Sequence, residues 1–246
     1  MRAAMERGDV DEAARQGVLA GPAIIEEALR APDRAARLAA IAAAPDAEDS
    51  AELLDALAAA AGGPDRRTAI PAARAARAIA RDLAERELPD DIAADDVRAW
   101  RDAWAALASR TDRWIELRVL ALDTAASLDR AATVPGAAPI GVGLTLETAL
   151  ADRDPALRRA AIANVPAPVP AAMRAALGAA IAKDIDAEVA LAAAHALCFD
   201  LVADAPGPIL AVIDAAGMQR LKTLVEGANP KLPGVRDAKR CLAAKK

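Results

Sequence analysis

Two cysteines, Cys198 and Cys241, are the residues of this chain whose type and spacing point most directly to a covalent feature. Each falls in a segment with the hydrophobic spacing of a helix, and the sequence leaves two states open, a disulfide and a pair of buried free thiols. A disulfide requires Cα atoms about 4.4–6.8 Å apart. A disulfide between these positions would close a loop of 44 residues and stabilise the folded chain by about 4 kcal/mol. Its presence would indicate an oxidising compartment.

The single histidine, His195, has sequence surroundings that argue against catalysis and metal binding. It lies in the apolar run Val189–Phe199, which predicts a packed helical residue. A zinc site needs three or four His, Cys or carboxylate ligands at short spacing, and the sequence has no such group. No serine stands in a Gly-x-Ser-x-Gly elbow, and no glycine pattern matches a dinucleotide or phosphate loop. We therefore expect no catalytic residue, no metal and no cofactor.

Three tryptophans lie within 15 residues of one another and are candidate contact residues: Trp100, Trp104 and Trp114. On an exposed groove they could contact a base, a peptide side chain or a cation. Trp100 and Trp104, however, continue the apolar stripe of Val97 and Leu107, which has the spacing of one helix face. That spacing favours the interpretation that the tryptophans fill the interior of the fold.

Acidic pairs precede this stripe at Asp90–Asp91 and Asp95–Asp96. Paired carboxylates could hold Mg²⁺ or act as acid and base. Carboxylates just before a helix also interact favourably with the positive end of its dipole. The position favours this second, structural role.

The composition predicts the elements that position these residues. Of the 246 residues, 73 are alanine, the strongest helix former. The chain has no tyrosine and one phenylalanine, which argues against antiparallel β folds. Charged residues make up 27% of the chain, so we expect it to fold rather than to stay disordered. The sequence therefore predicts an all-α protein with a core of small side chains.

Charge is distributed unevenly along the chain. Residues 1–150 carry 18 arginines and no lysine against 26 acids, whereas residues 151–246 carry 13 basic residues against 10 acids. The net charge of −5 disfavours nucleic acid as a partner, because nucleic-acid-binding domains are usually basic.

The sequence shows neither a secretory signal nor a membrane span. The first ten residues contain four charges, and the longest uncharged stretch, Ala131–Leu146, contains two prolines and is shorter than the about 20 apolar residues that a span needs. We expect a cytoplasmic protein if this is the true N-terminus. If a signal was removed and Cys198 and Cys241 pair, we expect a periplasmic or exported one.

Alanine-rich segments recur along the chain, and each begins with an aspartate beside a turn. These aspartates are expected to cap the second helix of a pair: Asp33, Asp65, Asp112, Asp154 and Asp186. A short carboxylate at this position accepts a hydrogen bond from a backbone N–H that the helix leaves unpaired. Apolar residues at helical spacing precede each aspartate. The pattern predicts about six antiparallel helix pairs, which is an α-solenoid.

The second helices resemble those of the HEAT-repeat family, which commonly read Asp-x-x-Val-Arg-x-x-Ala. The closest copies are residues 154–161 and 235–238, residues 33–40 are similar, and residues 65–76 depart because they lack the Val-Arg pair. The resemblance implies a single HEAT-like α-solenoid domain over residues 1–246. The stretch 131–143, rich in proline and glycine, is expected to be a long loop, with a hinge between two sub-arrays as the alternative.

The resemblance also implies a function, because HEAT-like arrays usually bind other proteins along a curved surface. We expect a monomeric, non-enzymatic protein–protein interaction scaffold or adaptor with an unknown protein partner. The alternatives are a HEAT-like enzyme, of the bilin lyase or the alkylpurine DNA glycosylase type, and a structural accessory module of a larger assembly. A glycosylase would need a basic groove, which the acidic residues 1–150 disfavour.

Overall fold

The computed structural model describes residues 9–86, 88–89, 92–132, 142–199 and 207–244. Within these ranges the chain is helical and contains no strand. The α-helices are α1 (Val10–Ala20), α2 (Pro22–Leu29), α3 (Arg34–Ala43), α4 (Leu54–Ala61), α5 (Arg66–Glu85), α6 (Ala94–Ser109), α7 (Ile115–Ala132), α8 (Val142–Leu150), α9 (Pro155–Ala163), α10 (Ala171–Lys183), α11 (Ala187–Phe199), α12 (Gly207–Leu210), α13 (Ala215–Gly227) and α14 (Pro233–Ala244). Two 3₁₀ segments, Ala44–Asp46 and Ser50–Leu53, connect α3 to α4. In this part of the chain no helix is both long enough and apolar enough to cross a bilayer.

The helices form two compact units, residues 1–142 and residues 143–246. In the first unit, consecutive helices pack as the pairs α2/α3, α4/α5 and α6/α7. The second helices of the pairs stack in the order α3, α5, α7, with α1 against α3, and the first helices stack in the order α2, α4, α6. Each pair therefore contacts the next one through both of its helices.

The second unit repeats this arrangement. The pairs α10/α11 and α13/α14 are in contact, α9, α11 and α14 form one layer, and α10 and α13 form the other. Five pairs of described helices are thus in contact, α8 and α9 follow each other in the chain as a sixth, and the predicted all-α helical-repeat fold is confirmed. The prediction of one continuous domain stays a prediction. Most of the predicted loop or hinge at 131–143, residues 133–141, lies outside the described residues.

Aspartates define where several second helices begin. Asp33 accepts a hydrogen bond from the Ala36 N–H at 2.8 Å, and Asp154 accepts one from the Ala156 N–H at 2.9 Å. Asp65 and Asp186 occupy the same position before α5 and α11. Asp65 accepts a hydrogen bond from the Arg67 N–H, and Asp186 accepts hydrogen bonds from the N–H groups of Glu188 and Val189. These bonds satisfy donors that the helix itself leaves without a partner.

Asp112 is the exception, and the prediction that it caps a helix is wrong. The helix that follows it, α7, begins at Ile115, so Trp114 holds the position before the first turn. Asp112 instead accepts hydrogen bonds from the Arg110 guanidinium, the shorter at 2.8 Å. These bonds hold the pKa of Asp112 below its usual range.

Small side chains allow close helix packing in both units. In α5, one face consists almost entirely of buried alanines, among them Ala69, Ala72, Ala73, Ala76 and Ala80. Alanine lets neighbouring helices approach at the short end of the usual range of about 8–10 Å between axes. The core therefore needs few aromatic side chains.

Gly234 marks the closest approach of α14 to α11. A Cβ at this position would collide with the carbonyl oxygen of Leu191, which is backbone and cannot move aside. We expect Gly234→Ala to lower the free energy of unfolding by about 1–3 kcal/mol, measured by denaturant titration. The matched control is Gly227→Ala at the end of α13, where a methyl group would meet no described atom within 4 Å. It should be neutral or slightly stabilising, and equal losses in both variants would contradict the close approach.

Candidate functional site

A groove of about 860 Å³ opens in the first unit. One wall is the turn 45–52, which connects α3 to α4. The other wall is the end of α5, the segment that follows it and the start of α6. The walls of the groove are therefore the connections between successive helix pairs, together with the helix ends beside them.

The floor of the groove is apolar. Leu83 of α5 and Trp100 of α6 contribute their side chains and are otherwise buried. Ala51 is buried in the turn, and Ile92 is half-buried in the segment before α6. Trp100 is placed there by helical spacing, because Val97 and Trp104 direct the same face of α6 into the core.

The rim of the groove is strongly acidic. Among the described residues that line it are one basic residue, Arg86, and six carboxylates: Asp46, Glu48, Asp49, Glu52, Asp82 and Asp96. Asp82 forms an ion pair with Arg86 at 2.7 Å. The other five carboxylates form no ion pair with any residue that the structure describes. Their charge is therefore not compensated locally.

Local backbone geometry places two of these acids, Asp49 and Asp96, at the groove. Asp49 has a φ of 54°, a left-handed conformation that aspartate tolerates better than most residues. It lies between the two 3₁₀ segments, directly before the second one. Asp96 reaches the opposite wall from the first turn of α6, where it also faces the positive end of the helix dipole. Asp90 and Asp91 lie outside the described residues.

The three tryptophans occupy different environments. Trp100 lines the groove with 9% of its surface exposed, and Trp114 is half-buried before α7. Trp104 is fully buried, in agreement with the favoured interpretation that the tryptophans fill the interior, so it is not a contact residue. The reason is its position on the core face of α6, in line with Val97 and Leu107.

In the second unit, α11 and α14 lie side by side in a constant register. Gly234 is against Leu191, and one turn further on His195 meets Asp237. Beyond them, Cys198 and Cys241 form a disulfide, with Cα atoms 5.7 Å apart and sulfurs 2.06 Å apart. The structure thus brings the two cysteines together between parallel helices of successive pairs.

His195 lies on a helix, α11, as the sequence predicts, but its side chain is only partly packed. Its side chain is 45% exposed, and Nδ1 lies 2.6 Å from Oδ2 of the fully buried Asp237. Arg240 pairs with the other oxygen of that carboxylate at 3.0 Å. A cavity of about 230 Å³ adjoins the imidazole ring on the side of α9. The sequence analysis missed Asp237, although its separation from His195 nearly equals that of the two cysteines.

In the described ranges, no group of three or more His, Cys, Asp or Glu side chains is arranged so that it could hold a metal ion. Two polar features of the described structure are the acidic groove and the His195–Asp237 pair. Both are built from residues of a single unit.

Comparisons with known proteins show the fold. No protein-family model matches the sequence, and neither does any curated protein. An engineered protein is similar over 89% of this chain and 94% of its own, at 18% identity and a TM-score of 0.54. A designed armadillo repeat protein in complex with the peptide (KR)4 is similar over 90% of this chain and 98% of its own, at 16% identity and a TM-score of 0.53. A second designed armadillo repeat protein matches with the same identity and coverage and a TM-score of 0.52. The chain therefore has an armadillo-like helical-repeat fold.

Proposed function

We propose that this protein is a non-enzymatic, HEAT-type scaffold that binds another protein, and that the groove of the first unit holds an extended, lysine- or arginine-rich segment of that partner. The observation that carries the proposal is the set of five carboxylates without ion pairs around an apolar floor. The structural likeness to a designed protein in complex with the peptide (KR)4 supports it, because a related fold accommodates a basic peptide.

The charge of the groove favours a cationic partner. Negatively charged carboxylates that line a concave surface focus the electrostatic field and raise the local concentration of positively charged groups. Complementary charge increases the association rate and selects against acidic partners. Because the rim is exposed, the attraction is screened by salt over about 10 Å at 0.1 M.

The apolar floor adds contact area that charge alone would not supply. Lysine and arginine bury their aliphatic stems on apolar surfaces while their charged ends stay in water. In this groove, stems packed over Leu83 and Trp100 would leave ammonium or guanidinium groups beside the carboxylates of the rim. The groove therefore suits basic side chains better than a free metal or a small cation.

We expect an alternating Lys-Arg octapeptide to bind the full chain, and the variant Glu48→Gln/Asp49→Asn/Glu52→Gln to weaken this binding about tenfold. Each exposed ion pair contributes roughly 0.2–1 kcal/mol, so three lost pairs together reach about this factor. Asparagine keeps the left-handed conformation at position 49. Fluorescence anisotropy at two salt concentrations measures the affinity and its salt dependence, which should decrease in the variant.

The matched control is Asp11→Asn/Glu27→Gln/Asp55→Asn. It removes the same charge from three exposed carboxylates of the first unit that do not line the groove. It should change the affinity less than about threefold, since only long-range charge is lost. An equal loss in both variants would show a nonspecific effect of net charge. Tighter binding of duplex DNA than of the peptide would favour the glycosylase alternative instead.

A further inference from the structure

We propose that the cavity beside His195 is a binding site for a small, uncharged molecule that has an apolar body and one hydroxyl group, of which phenol is the simplest probe, and that His195 accepts the hydrogen bond of this hydroxyl. The site lies in the second unit and rests on observations independent of the acidic groove.

The size and lining of the cavity define the body of the ligand. Its volume is about 230 Å³, and an engineered apolar cavity of about 150 Å³ holds benzene. Aliphatic side chains from the end of α9, the segment 165–169 and α11 form most of the wall, including Ile162, Val169 and Ala196. The cavity therefore has room for one ring with a substituent.

One polar side chain defines the functional group of the ligand. Among the described residues that line the cavity, His195 alone carries a polar side chain. None of the described side chains that line it is charged, so an ionic ligand would lose its hydration without gaining a partner of opposite charge among them. A neutral ligand with a single polar group fits this lining.

Asp237 determines what the imidazole can do. Its buried carboxylate lies 2.6 Å from Nδ1 and holds the ring hydrogen on that atom, because an ionised carboxylate only accepts hydrogen bonds. In the neutral ring, Nε2 is then an acceptor, and a hydroxyl is the donor that matches it. Arg240 and Arg236 lie within ion-pair distance of the second carboxylate oxygen, at 3.0 and 3.7 Å.

The surroundings also fix the orientation of the ring. Phe199 packs edge-on against His195, with ring centroids 5.6 Å apart and planes at 62°. One turn along, the Cys198–Cys241 disulfide keeps α14 against α11, so that Asp237 stays behind the imidazole. A ring oriented in this way before binding loses little entropy when a ligand binds.

The ligand pair phenol and anisole tests the proposal on the full chain. Both have the same ring, but anisole has no hydroxyl hydrogen. Because His195 is the only histidine, its ring nitrogens give a single set of signals in ¹⁵N NMR. We expect a saturable phenol-induced shift of the Nε2 signal and an affinity for phenol about three- to tenfold higher than for anisole, which is the effect of one hydrogen bond.

The variant Ala192→Leu provides the second test, because it adds a side chain inside the cavity wall and leaves His195 and Asp237 in place. It should abolish the saturable phenol shift while the Nδ1–H tautomer is retained. The proposal is overturned if phenol causes no saturable shift, if anisole binds as tightly as phenol, or if Ala192→Leu binds phenol as the unaltered chain does. Should the variant fail to fold, the comparison of phenol with anisole decides alone.

Discussion

Replacing Arg158 with methionine should lower the free energy of unfolding by about 3–5 kcal/mol, because it leaves a buried carboxylate without its partner. Arg158 and Asp184 form a two-bond ion pair, with Nε 2.7 Å from Oδ2 and an Nη 2.8 Å from Oδ1. Their side chains are only 10% and 8% exposed. The same guanidinium donates to the backbone carbonyls of Asp152 and Arg153. One side chain therefore joins the start of α9 to the end of α10.

The neighbouring Arg159 is the matched control. It also forms an ion pair, with Glu188, but the two side chains are 38% and 72% exposed. An exposed pair contributes about 0–1 kcal/mol, so Arg159→Met should cost far less than Arg158→Met in denaturant titrations at neutral pH. Equal costs for the two variants would show that burial of the first pair has no effect on stability.

The loss in Arg158→Met should depend on pH. Burial raises the pKa of Asp184, but the hydrogen bonds from Arg158 and from the Asp186 backbone N–H outweigh this effect and hold the pKa below its usual range. A lowered folded-state pKa contributes stability above the ordinary aspartate value and loses it as the pH falls through the folded-state value. The difference between the unaltered chain and the variant should therefore be largest near neutral pH. It should narrow below about pH 4.

The repeat was predictable from sequence because its signals are local. Aspartates before alanine-rich helices recur every 32 to 47 residues, and four of the five begin a helix in the structure, at positions 33, 65, 154 and 186. Asp112 shows the limit of this reasoning, because residue type alone does not determine which residue begins a helix. There, Arg110 competes for the carboxylate, and the helix begins three residues later.

The pairing of α11 with α14 was predictable only to within one helical turn. Aligning Val189 with Val235 places Cys241 opposite His195, whereas the structure places Asp237 there. The shift arises because Gly234 allows α14 to sit directly on the backbone of Leu191. Contacts of this kind depend on the packing distance between helices. An alignment of the repeat sequences gives no information about that distance.

The groove combines predictable charge with unpredictable geometry. The acidic balance of residues 1–150 gives its sign. Its shape depends on two 3₁₀ segments, on the left-handed Asp49 and on the spacing between successive helix pairs. These features arise from tertiary packing, so sequence could suggest Trp100 as a contact residue but could not distinguish it from the buried Trp104.

Reducing the Cys198–Cys241 disulfide should lower the free energy of unfolding by about 4 kcal/mol. The two cysteines are 43 residues apart, so the bond closes a long loop in the unfolded chain and reduces the entropy that unfolding gains. The loop contains α13 and most of α14. These two helices form the last pair of the second unit, so among the described helices they have a neighbouring pair on one side only. Loss of the bond should therefore act mainly on this end of the second unit.

Denaturant titration of the unaltered chain with and without a reducing phosphine measures the effect, because reduction removes the bond and leaves both sulfur atoms in the core. The variant Cys198→Ala/Cys241→Ala is the control, and the phosphine should not change its stability. The double variant should lose more unfolding free energy than the reduced chain does, because it also loses the packing contacts of the two sulfur atoms. Thiol titration of the denatured, unreduced protein should find no free sulfhydryl. Two free sulfhydryls would mean that the chain folds with reduced cysteines, and an oxidising compartment would then no longer be indicated.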